Sequence, residues 1–118
     1  RAQVRFATRE DGVSFSEHPD KIHAQFYVHS DGYPEGLGLD IAEMIDSCKH
    51  VGGWELEELA TKHGDLEYIY YIWQAYDKDT WVSIFECHPF SNQISECIFV
   101  GEPQKLIDKY KQNTNNDG

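Results

Sequence analysis

Basic residues are scarce in this chain. Ten lysines and arginines stand against twenty-one aspartates and glutamates in 118 residues, a formal net charge of −11 with histidine neutral. A protein that binds a phosphate backbone needs a basic surface or stripe. No Lys/Arg run exists here, the nearest grouping being Lys105, Lys109 and Lys111. Nucleic acid is therefore disfavoured as a partner. Cysteine is scarce too: Cys48, Cys87 and Cys97 form an odd set with no CxxC. That points to reduced thiols in a cytosolic setting rather than a disulfide framework. No apolar run approaches the roughly 20 residues of a membrane span, and no signal-type N-terminus is present. The expected compartment is cytoplasmic, with no membrane partner.

Chemical motifs are missing as well. There is no GxSxG, and the glycines fit neither a P-loop nor the dinucleotide fingerprint. No Cys/His set has zinc-type spacing. His23 and His29 share a strand face but sit six residues and roughly 20 Å apart, too far to hold one metal. The side chains of Cys87 and His88 point to opposite faces of a strand. No catalytic residue, metal site or cofactor is assigned, and the absence of a catalytic constellation favours a non-enzymatic protein.

Aromatic and apolar residues, by contrast, are plentiful. Three Trp, seven Tyr and six Phe within a chain that is 40% hydrophobic mark a folded domain. The length suits one domain able to bury roughly two thirds of its unfolded surface. The acidity fits a cationic protein partner, nucleic-acid mimicry or simple solubility.

Taken in order, Val4 and Phe6 alternate with Gln3 and Arg5 as in a half-buried strand. Asp11-Gly12 is a turn signal, and Val13 and Phe15 suggest a short return strand. Residues 21–29 give the cleanest alternation, with Ile22, Ala24, Phe26 and Val28 on one face and His23, Gln25, Tyr27 and His29 on the other. Leu37, Ile41, Met44, Ile45 and Cys48 then recur at helical steps. Gly52-Gly53 ends that helix, and residues 54–63 read as a second one through Leu56, Leu59, Ala60 and His63, with Glu55, Glu57 and Glu58 as its solvated face. Residues 66–76 are apolar on both faces, as a central strand or one contributing a face to a partner would be. Residues 81–88 return as the other arm of a hairpin, and 94–100 form a last strand. Pro103 opens a final helix. The expected fold is α+β: an antiparallel sheet of four to five strands with three helices, mainly on one face. It forms a single domain over residues 1–111, followed by a disordered tail at 112–118.

The most constrained stretch is 29–38, with three glycines and a Tyr-Pro step between a strand and a helix. Its candidate ligand-binding residues are His29, Asp31, Gly32, Tyr33, Gly36 and Gly38. The helix start would offer free amides to a nucleotide-like anion; the competing reading is a plain strand-to-helix corner with Tyr33 packed over it. The aromatic surplus gives a second candidate, an interface formed by Tyr68, Tyr70, Tyr71, Trp73 and Trp81. Its neighbours Asp65, Glu67, Asp77 and Asp79 are acids, which suits core plus a homo-oligomer face better than base stacking.

The run Tyr27-Val28-His29-Ser30-Asp31-Gly32-Tyr33-Pro34-Glu35-Gly36-Leu37-Gly38 resembles a pattern in small uncharacterised proteins of phages and other mobile elements. There a strand leads into His-x-Asp-Gly-Tyr-Pro and then a helix. The Phe99-Val100-Gly101-Glu102-Pro103 step is similar too. The resemblance implies a phage or mobile-element origin and a host-cell cytoplasm, and it supplies no activity and no catalytic residues to carry over. Three functions follow as expectations: an acidic, non-enzymatic, oligomeric interaction protein whose partners are itself and another protein; a small-ligand binder using loop 29–38; or a small hydrolase or nuclease using His29 and Asp31.

Overall fold

The computed structural model describes residues 1–8, 21–29, 32–47, 52–74, 79–88 and 96–115. Among these residues six strands run in chain order: β1 (Ala2–Thr8), β2 (Lys21–Val28), β3 (Trp54–Glu57), β4 (Tyr68–Gln74), β5 (Thr80–Glu86) and β6 (Glu96–Gly101). Two α-helices, α1 (Leu39–Ser47) and α2 (Pro103–Asn115), complete an α+β fold, and a π-helical turn at Pro34–Gly38 leads into α1. The strands form one sheet in the order β3-β2-β1-β4-β5-β6.

The sheet is mixed. β1 and β4 run parallel, Ala2 opposite Tyr68 and Thr8 opposite Gln74, while the other neighbours are antiparallel. The expectation of four to five antiparallel strands and three helices is corrected to six mixed strands and two α-helices. The extra strand is β3, where a second helix was expected. Gly53, with φ 81°, turns the chain after α1 in a conformation that glycine adopts at little cost. Trp54 and Leu56 then alternate with Glu55 and Glu57, and the four residues pair with Val28 to Gln25 of β2. Leu59, which shared the helical spacing with Leu56, is exposed. The return strand expected around Val13 and Phe15 lies outside the described residues. The α2 backbone runs to Asn115, into the stretch from 112 expected as a disordered tail.

One face of the sheet is apolar because every second strand residue is. Val4, Val28, Tyr70, Ile72, Val82 and Ile84 meet Leu37, Ile41, Ala42, Leu106 and Tyr110 from the helical side. Each fully buried Leu or Ile contributes roughly 1.5–3 kcal/mol by leaving water. α1 and α2 also pack on each other. Pro103 opens α2, where its missing N–H costs nothing, and Glu102 O receives the amides of Lys105 and Leu106 at 3.0 and 3.2 Å. No helix among the described residues is long and apolar enough to cross a membrane.

Candidate functional site

The opposite face carries polar residues in the same strands. Gln3 (1% exposed), Gln25 (0%) and Ser83 (0%) are buried there, beside Tyr71, Trp73 and Phe85. Buried polar groups must find partners, since an orphan costs about 1–3 kcal/mol. Here they find one another. Arg5 Nε donates to Gln25 Oε1 at 2.8 Å, its Nη2 to Gln3 Oε1 at 3.0 Å, and its Nη1 to the Tyr71 hydroxyl at 2.6 Å. The amides of Gln3 and Gln25 both donate to Glu57 Oε1, at 3.0 and 2.9 Å, and both reach Thr61 O at 3.2 Å. Trp73 Nε1 donates to Ser83 Oγ at 2.8 Å.

These bonds fasten the segment after β3 across the sheet. Glu57 Oε2 lies 2.7 Å from His63 Nε2, and the His63 ring stacks on Tyr27 with centroids 3.9 Å apart. Burial pushes the Glu57 carboxyl up, but the hydrogen bonds from His63, Gln25 and Gln3 outweigh it and hold the group below its ordinary 4.5. Farther out, Arg1 pairs with Asp65, and the Arg1 amino group lies 3.1 Å from Glu67 Oε1.

A cleft of about 780 Å³ opens between this segment and the β2–β3 end of the sheet. Tyr27, Glu55, Glu57, His63 and Asp65 line it together with His29, which lies 3.1 Å from Glu55 Oε1 and edge-on to Tyr27. Its described walls present carboxylates, two imidazoles and Lys62, with no serine, threonine or cysteine to serve as nucleophile. No cluster of three or more His, Cys, Asp or Glu suited to a metal occurs among the described residues. The carboxylates can attract positive charge and accept hydrogen bonds, and the two imidazoles can donate or accept a proton.

The sequence-predicted residues are distributed otherwise. Of the 29–38 set, His29 reaches the cleft, and Asp31 lies outside the described residues. Gly32 is buried, its carbonyl accepting from the Tyr70 hydroxyl at 2.6 Å. The amides of Gly36 and Gly38 both donate to Tyr33 O, at 2.9 and 3.5 Å, so they turn into the helical turn. Gly38 sits over Tyr70 and Leu106, and Tyr33 stands 53% exposed with its ring edge toward Tyr68. Of the aromatic set, Tyr70 (0%), Tyr71 (1%) and Trp73 (2%) are spent inside the chain on both faces of β4. Tyr68 and Trp81 are half-buried. Burial raises the Tyr70 hydroxyl far above its usual range, keeping it a donor. Cys97 bonds Phe99 O, burial raising its thiol, Cys87 is half-buried, and Cys48 lies outside the described residues.

Sequence reasoning missed Gln3, Arg5, Gln25, Glu57 and His63 as a unit. The helical spacing puts Glu57 on the solvated face and His63 on the apolar side of one helix, six residues apart and not in contact. The available signal was the unusual polarity of alternate positions in β1 and β2: Gln3, Arg5 and Gln25 are large polar residues flanked by core residues. No protein-family model, curated protein or solved structure matches the chain.

Proposed function

We propose that this protein is a non-catalytic binding domain whose acidic surface beside β3 engages a cationic segment of another protein. The observation that carries this reading is the company kept by the exposed apolar residues. Leu56 (72% exposed) and Leu59 (50%) edge a hollow that Glu57 and Glu58 also line, with Glu55 on the other side of the same strand, in a chain of net charge −11. Apolar contact area rimmed by charge of one sign suits a partner of the opposite sign, and the charge steers the encounter. The Glu57 carboxylate already engages Gln3, Gln25 and His63, which leaves it little capacity to serve as a general base.

Calorimetric titration with cationic, neutral and acidic peptides tests this. Only the cationic peptides should bind, more weakly as salt rises, and the double variant Glu55→Lys, Glu58→Lys should lose most of that binding. Failure of every cationic peptide, or equal binding of acidic ones, overturns the reading.

A second reading keeps the small-ligand class but moves it from loop 29–38 to the open cleft, where the stacked Tyr27 and His63 rings stand beside the carboxylates of Glu55, Glu57 and Asp65. Thermal shift against small organic cations, with Tyr27→Ala as the control, separates it from the first.

A further inference from the structure

We infer that the outer edge of β3 receives an extended, basic segment of another protein as an added strand. This rests on the cationic-partner reading above and adds to it the mode of recognition. Among the described residues the sheet has two outer strands, β3 and β6, and they are finished differently. On β6 a register shift against β5 passes over Ile98, and Lys109 Nζ donates to Ile98 O at 3.0 Å while lying 5.8 Å from the Phe99 ring centre. A bulge and a lysine are devices that stop sheets from pairing edge to edge. β3 pairs with β2 in unbroken register over its four residues, and its own guard is acidic: Glu55 and Glu57 repel an acidic or identical strand but not a basic one, while Leu56 projects into solvent.

Charge selects the occupant. The Glu55 side chain is 65% exposed, and Glu58 follows at the strand end. A second copy would bring the same carboxylates to the same line, and like charges placed opposite each other destabilise a strand pair. A basic segment neutralises them instead. The pleat then dictates its pattern, because directly opposite residues share a face. Trp54 belongs with the apolar side, packed against Phe26 at 5.7 Å between ring centres, whereas Glu55 and Glu57 line the cleft. Leu56, opposite Phe26, shares the side of Trp54 and edges a smaller hollow of about 370 Å³ that also includes Leu59 and Ala24. The occupant therefore alternates, with Lys or Arg beside Glu55 and an apolar residue beside Leu56. Backbone hydrogen bonds supply affinity and the alternation supplies specificity, as in other cases of strand addition.

The test uses the full chain, labelled for amide NMR. It is titrated with an alternating Lys-Val peptide, a block peptide of the same composition, and two forms of the first that are N-methylated on opposite sets of alternate residues. The alternating peptide should shift the amides of residues 54–57 and bind about tenfold more tightly than the block peptide. One methylated form should bind like the parent and the other should not, because a strand offers its amides to one edge on alternate residues only. Equal binding of alternating and block peptides, with both methylated forms active, overturns strand addition and leaves the cationic-partner reading intact. Silence from every cationic peptide overturns both. A dimer in sedimentation that Leu56→Lys dissolves would put a second copy on the edge and overturn the choice of occupant.

Discussion

On the helical side of the sheet, Val4, Tyr70, Ile84 and Leu106 interlock largely through shape. On the other side, the same strands hold up Gln3, Arg5 and Gln25, which are secured through donors and acceptors. The first arrangement is non-directional and its energy scales with area. The second is directional and shared: Glu57 accepts from two amides and pairs with His63, so a single carboxylate satisfies several groups at once. Removing a methyl group from the first face loses a fraction of one contact. Removing an acceptor from the second leaves its former donors buried without a partner.

The sharpest way to break this contrast starts on the apolar side. Leu106 is fully buried, and Leu106→Ala should cost about 2–5 kcal/mol through lost transfer energy and the cavity left behind. Glu57→Ala comes next, at about 2–3 kcal/mol, although it deletes less apolar surface, because the Gln3 and Gln25 amides and His63 lose their common partner. Urea denaturation of both variants measures this. A Glu57→Ala protein as stable as the parent would show that the polar face is not held by this carboxylate.

The polar face should also respond to pH where the apolar face does not. The folded protein holds the Glu57 carboxyl below its ordinary 4.5 through His63, Gln25 and Gln3. In the acid range the unfolded chain takes up that proton first, so stability falls as pH falls. The contribution is complete above about 4.5, the unfolded value, and is lost as pH drops through the folded one. Urea midpoints measured from pH 7 down to pH 3 should decline for the parent and for Leu106→Ala alike. The decline should be shallower in Glu57→Gln, which has no proton to gain.

The two faces were unequally legible in the sequence. The apolar face followed from alternation and helical spacing, which are local: Phe26 and Val28 and Ile41 to Ile45 declare their side without reference to anything distant, but Ile22, expected beside them, packs on the other face with Ala7 because the register of β1 and β2 shifts there. β4 also declared itself, since Ile69, Tyr71 and Trp73 repeat the apolar character of Tyr68, Tyr70 and Ile72, and the strand is internal to the sheet. The polar face depends on pairings that no local pattern encodes. Gln3 meets Glu57 across 54 residues of chain, and β1 reaches β4 in parallel across a similar span. β3 was misread because four residues are too few to establish a period, and Leu56, Leu59 and His63 fit a helix equally well. The elbow at 29–38 was legible as a corner. The inward turn of its amides was not, because it depends on the Tyr33 carbonyl gathering two of them.

The smallest expected effect makes the sharpest control, because the cleft holds two histidine–glutamate pairs of like chemistry in unlike surroundings. His63 and Glu57 lie 2.7 Å apart with side chains 23% and 12% exposed, while His29 and Glu55 lie 3.1 Å apart at 58% and 65%. Water screens the outer pair and competes for its hydrogen bonds, and ordering two exposed side chains offsets much of the attraction. His29→Ala should therefore change stability by no more than about 0.5 kcal/mol. His63→Ala should cost more, because it also removes the ring stacked on Tyr27 and one of the bonds that keep the Glu57 carboxylate ionised. Equal losses in the two variants would mean that burial does not separate the pairs, and that the inner network is as open to solvent as the rim.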